Sequence, residues 1–145
     1  MTPLVHECRN GKSLIVCDSA SAIAYARGRP IKPCVVLITT WSLAALPVTM
    51  EIAKQFIDDG CKFFVCAGRH AEVLHDLIDD LIVEGNNVSI GHVSTSFHQD
   101  DTLEDIVDFF GQEIDVSDRC VGGLVAILDD IRGLDARLCQ LLLDL

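Results

Sequence analysis

Between residues 70 and 118 the chain has no lysine or arginine, yet thirteen aspartates and glutamates fall in that span. Residues 1–69, by contrast, hold eight basic and five acidic residues. A chain of net charge −11, with eight of its eleven cations in residues 1–69, has little to offer nucleic acid, where Lys and Arg contacts to phosphate drive binding. Like charges on one surface also repel, so the arrangement is costly unless it is used. Other absences exclude further classes. No apolar run approaches the ~18 residues of a membrane span. The opening MTPLVHECRN lacks a basic stretch followed by an apolar core, so a secretory signal is not expected. There is no G-x-G-x-x-G, no G-x-x-x-x-G-K-[ST] and no G-x-S-x-G. No two histidines stand four apart on one helix face, so neither a metal nor a cofactor is expected.

Half of the 145 residues are hydrophobic, enough for one packed domain over residues 1–145. Seven cysteines make an odd count without repeated spacing, and most sit beside apolar residues. They read as small buried hydrophobes in a reducing, cytoplasmic setting. Cys66 stands just before Gly68-Arg69, but the phosphatase-type loop of Cys, five residues and Arg is missing.

Elements follow from periodicity. Residues 4–9 and 12–17 flank Asn10-Gly11, a hairpin signal. A short helix is expected over 20–27 and a Pro-containing linker over 28–33. Apolar runs at 34–40 and 123–128 predict buried strands, and further strands are expected over 62–66 and 87–93. Helical spacing predicts helices from Pro47 to Gly60, over 70–84, over 102–111 with Asp101-x-x-Glu104 as a capping box, and over 134–145. The last helix carries Leu134, Leu138, Leu141 and Leu145 on one stripe, and Leu142 and Leu143 beside it are either deep core or a homodimer seam. Strand–helix repetition predicts a three-layer α/β fold, Rossmann/flavodoxin-like. Its five- or six-stranded sheet is mostly parallel, with the hairpin at one edge.

In such sheets ligands bind beyond the carboxyl ends of the strands. That rule gathers Thr40, Trp41, Gly68, Arg69, His70, Ser96 and His98 on one rim. The stretch CAGRH poses the sharpest question. Arg69 and His70 are poorly placed at a helix N-terminus, which carries positive charge, unless an anion sits there. The plain alternative pairs Arg69 with Glu72 or with the acids near Asp100. His98, in a loop before Asp100-Asp101, is a candidate acid or base. His75 and Asp79 share a polar face.

The acidic tract suggests a second surface. If the helices over 70–84 and 102–111 lie side by side, Glu72, Asp76, Asp79, Asp80, Glu84, Glu104, Asp105 and Asp108 form one negative face for a basic protein partner. The leading expectation is therefore a non-enzymatic acidic interaction protein of inhibitor, immunity or regulatory type. The alternative is a small-ligand or anion-binding domain, or a hydrolase, using the rim.

The run from VVLITTW through GCKFFVCAGRHAEVLHDLIDDLIVEGN to SFHQDDTLEDIVDFFG, residues 35–111, resembles small bacterial α/β domains of unknown function. The architecture is also similar to the flavodoxin and response-regulator group. However, Thr39-Thr40-Trp41-Ser42 lacks a phosphate-loop glycine, and no lysine follows the last strand at Asp129-Asp130. Neither flavin binding nor phospho-acceptance is implied.

Overall fold

A computed structural model describes residues 2–28, 35–85, 93–113 and 123–145. The chain runs β1 (Leu4–Glu7), β2 (Ser13–Cys17), α1 (Ser19–Gly28), β3 (Val35–Thr39), α2 (Leu46–Asp58), β4 (Phe63–Ala67), α3 (Ala71–Gly85), β5 (Ser94–His98), α4 (Leu103–Asp108), β6 (Leu124–Ile127) and α5 (Ala136–Leu143). A 3-10 turn, Leu43–Ala45, leads into α2, and a π-helical turn, Phe109–Glu113, follows α4. No helix among the described residues is long and apolar enough to cross a membrane.

One six-stranded sheet has the order β1-β2-β6-β3-β4-β5. Among the described strands only β1 is antiparallel, paired with β2 as the expected edge hairpin. Its turn differs from the two-residue form that Asn-Gly suggests. The Gly11 N–H bonds to the Cys8 carbonyl, and Gly11 then takes φ +85°. This is a four-residue turn closed by a left-handed glycine. The winding order also departs from the flavodoxin pattern, because the last strand, β6, inserts between the first two parallel strands.

That insertion decides where the helices go. The crossovers β2→β3, β3→β4 and β4→β5 all step the same way across the sheet, so right-handed connections put α1, α2 and α3 on one face. There Ala22, Ile52, Phe56, Leu74 and Ile78 meet Val36, Ile38, Phe64 and Ile127. The β5→β6 connection steps back, so α4 lies on the opposite face and α5 packs beside it. Here Ile106, Val107, Phe110, Leu138 and Leu142 meet Leu14, Leu37, Val65 and Ala126. Each fully buried aromatic such as Phe64 contributes on the order of 2–3 kcal/mol.

Several expectations are corrected by this arrangement. The helices over 70–84 and 102–111 do not share a face. Glu72, Asp76, Asp79 and Asp80 stand on α3, while Glu104, Asp105 and Asp108 stand on α4 across the sheet. The reason is the reversal of winding direction after β5. The strand expected over 87–93 falls, except for Val93, outside the described residues, as does most of the 28–33 linker. The strand that is present, β5, covers the polar STSFH segment where a loop is expected, so Ser96 and His98 are strand residues. An edge strand needs fewer apolar residues than a central one. The cap of α4 is Thr102, whose hydroxyl accepts from the Asp105 N–H at 3.1 Å, not Asp101. In the C-terminal helix Leu138 and Leu142 are deep core and Leu141 and Leu145 pack against it, while Leu134 precedes the helix and is exposed.

Candidate functional site

The turn after β4 is set by sterics. Gly68 has φ +89°, and a Cβ there would stand 2.7 Å from the Thr40 carbonyl oxygen. The backbone of β3's end therefore lies directly on this glycine. Thr40 N–H bonds to the Ala67 carbonyl and His70 N–H to the Thr40 carbonyl, at 3.0 and 3.1 Å. The first N–H groups of α3 are also satisfied within the protein. Ala71 donates to the Gly68 carbonyl and Glu72 to the Gln99 side chain. The helix N-terminus is thus an ordinary corner. Its guanidinium is a different matter. Among the described residues Arg69 makes no ion pair or side-chain hydrogen bond, so neither Glu72 nor the acids near Asp100 neutralise it.

Arg69 lines a cleft of about 260 Å3 on the α4–α5 face. Its walls come from three strand ends: Thr39 and Trp41 after β3, Ala67 to Arg69 after β4, and His98, Gln99 and Asp101 after β5. Leu103, Ile106 and Leu138 supply the apolar floor and Asp135 one corner. The position follows from topology. The loop after β4 turns to one face and the loop after β5 to the other, which opens a crevice at that switch.

Asp135 is 1% exposed, and among the described residues no cation pairs with it. Three donors hold it instead: the Thr39 hydroxyl at 2.7 Å, the Trp41 indole N–H at 2.9 Å and the Asp130 N–H at 3.0 Å. Thr39 in turn accepts from the Asp129 N–H, and the Asp129 carboxylate accepts from the N–H groups of Trp41 and Ser42. This network fixes the indole edge at the cleft.

On the other wall, His98 Nδ1 stands 2.6 Å from the Asp101 carboxylate and Nε2 stands 2.9 Å from the Ser96 hydroxyl. A carboxylate only accepts, so Nδ1 carries a proton, and in the neutral imidazole Nε2 accepts from Ser96. The ring also packs on Phe109, with centroids 4.7 Å apart.

Of the residues expected on the rim, Trp41, Gly68, Arg69 and His98 line this cleft. Ser96 lies behind His98. Thr40 is buried, its hydroxyl has no partner among the described residues, and it follows Val36 and Ile38 onto the α1–α3 side of the sheet. His70 contributes its backbone only. Sequence reasoning misses Asp101, Gln99 and Asp135. Asp135 is hidden at the start of the Leu-rich helix, and its one signal is an acid set between apolar helix positions. On the opposite face the Asp79 carboxylate accepts from the Thr95 hydroxyl, and His75 lies against Phe97.

Thiol chemistry has no footing here. Burial pushes the Cys17 and Cys61 thiols up to about 12 and Cys66 higher still, so all three stay neutral at ordinary pH. Among the described residues no group of three His, Cys, Asp or Glu is placed to hold a metal.

A family model described as a domain of unknown function (DUF7684) matches residues 15–127. The match runs from β2 to β6 and includes Trp41, Arg69, Ser96, His98 and Asp101, but not Asp135. No curated protein matches the chain.

Proposed function

We propose that this chain, which belongs to the DUF7684 family of domains of unknown function, binds a small anionic molecule in the Arg69 cleft. One observation carries the reading: a guanidinium without a partner among the described residues lines a crevice that also presents an indole edge and an imidazole over an apolar floor. A carboxylate or phosphate would meet the fork of Arg69 in the bidentate manner such groups favour. The apolar floor would take the rest of a small metabolite. Buried cysteines at Cys8, Cys17, Cys61 and Cys66, without a disulfide among the described residues, suit a reducing cytoplasm for such a binder.

The test is thermal. Inorganic phosphate, succinate and a nucleoside monophosphate are each titrated into the protein. At about 100 times Kd, a binding anion raises the melting temperature by roughly 5–10 °C. Arg69→Ala removes that rise. A flat response of the wild-type protein across the panel defeats the proposal.

A second reading, docking of a basic protein, is supported by a narrower feature than the sequence suggested. Glu72, Asp76, Asp80 and Glu84 follow one another at four-residue spacing along α3, and all are exposed. Such a row repels itself by about 0.2–0.5 kcal/mol per adjacent pair, and a cationic surface would relieve it. Charge reversal of Asp76, Asp80 and Glu84 to Lys is expected to abolish low-salt binding of an oligolysine peptide. Reversal of Glu104, Asp105 and Asp108, with the same net charge, should leave most of it. Equal losses would mean net charge acts, not this helix.

A further inference from the structure

We infer that the ligand of the Arg69 cleft carries an ammonium group as well as its anion: a free amino acid of apolar skeleton, whose ammonium is bound by Asp135. The inference rests on the anion-binding reading of that cleft and adds the second charge. Two carboxylates, Asp101 and Asp135, line the same crevice as the guanidinium. Among the described residues Arg69 pairs with neither. An anion alone would satisfy the guanidinium and leave both carboxylates facing it. A zwitterion would bridge groups that share a small cavity yet do not reach each other, and it would meet each sign with its opposite.

Asp135 is the better partner of the two. Asp101 is exposed and already stands 2.6 Å from His98 Nδ1. Asp135 is 1% exposed, and burial of an ionised carboxylate is costly without a countercharge. Its three donors are neutral, so they fix its position without balancing its charge. They are also unevenly divided. The Thr39 hydroxyl and the Asp130 N–H both reach Oδ2, whereas Oδ1 accepts from the Trp41 indole alone. A carboxylate offers about four lone-pair sites, which leaves one on Oδ1. An ammonium only donates, and its bond there would be charge-assisted. Trp41 also lines the cleft and adds aromatic surface of the kind that attracts cations.

Size and polarity bound the rest of the ligand. A cleft of about 260 Å3 falls below the ~300–1,000 Å3 of pockets for drug-sized molecules, so the occupant is small. Leu103, Ile106 and Leu138 would take its hydrocarbon part. Gln99 is exposed on the same rim as Arg69, and its side-chain oxygen accepts from the Glu72 N–H. Its amide N–H₂ is then the group left to donate to the ligand carboxylate.

Calorimetric titration of the full chain tests this with two pairs of probes. Leucine is compared with 4-methylpentanoate, and 5-aminopentanoate with pentanoate. Each pair differs by the amino group, and the two amino acids hold their charges close together and far apart. In at least one pair the amino acid is expected to bind about 10- to 100-fold more tightly, the gain of one charge-assisted hydrogen bond. Asp135→Asn should abolish that preference while the carboxylate lacking an amino group still binds. Asp101→Asn should retain the preference, and Arg69→Ala should weaken both members of the pair. Equal affinity within both pairs overturns the inference but leaves the anion reading standing, because the carboxylates still bind. A preference that survives in Asp135→Asn, or that is lost in Asp101→Asn, also overturns it. Absence of binding by all four probes overturns it as well, and the phosphate titration then decides separately whether the anion site stands.

Discussion

Asp135→Ala is expected to destabilise the protein by about 3–5 kcal/mol. The carboxylate has no countercharge among the described residues. Its burial is compensated by donors, and alanine would strand three of them: a hydroxyl, an indole N–H and a backbone N–H. Each buried donor left unmade costs about 1–3 kcal/mol, and water entering the cleft recovers part of it. Asp135→Asn should cost less, about 1–3 kcal/mol, because one oxygen is kept while the amide N–H₂ must face a donor. Urea melts measure both. Trp41 is the single tryptophan of the chain, so its emission reports this corner directly. It should shift in both variants before any unfolding. A loss under about 1 kcal/mol with unchanged emission would mean that the network does not hold the rim.

Gly68→Ala should cost about 2–4 kcal/mol. Two effects add at this position. The left-handed backbone at φ +89° disfavours any Cβ by roughly 1–2 kcal/mol. The added methyl also stands 2.7 Å from the oxygen and 2.9 Å from the nitrogen of Thr40, and neither is a side-chain end that can turn away. Gly60 provides the control. It has φ +97° and nothing within 4 Å of the place a methyl would occupy, so Gly60→Ala suffers only the backbone effect. The ratio of the two losses is therefore the informative quantity. If the Gly68 and Gly60 variants melt alike, the close approach of β3 to the β4–α3 corner is not real. Since that approach joins the segments carrying Trp41 and Arg69, which line one cleft, the Gly68 variant should lose the anion-dependent thermal shift as well.

Much of the fold is legible because the core strands announce themselves. VVLIT and FFVCA are buried on both faces, as a parallel sheet demands, and no soluble helix of that length would be so apolar. Glycines at 11, 60 and 68 mark real corners. The failures cluster at β5. STSFH has one apolar residue, lies at the sheet edge and takes its place by pairing with β4 rather than by burial. An expected loop there displaces His98 from the strand and hides the Ser96 contact, which exists only because residues two apart on a strand share a side. The acidic face fails for a different reason. Charge content is a local property of α3 and α4, but their relative placement depends on whether the chain reverses direction across the sheet.

The amino-acid order by itself determined the α/β class, the edge hairpin, the strand–helix alternation and the band of strand ends where polar groups collect. Each of these follows from periodicity or from turn chemistry within a few residues. Only the tertiary structure decided that β6 wedges between β2 and β3, that α3 and α4 stand on opposite faces, and that Asp135 reaches back across 94 positions to the Trp41 ring. Contacts between distant segments are set by how successive crossovers pack on a shared sheet, and no local pattern carries that information.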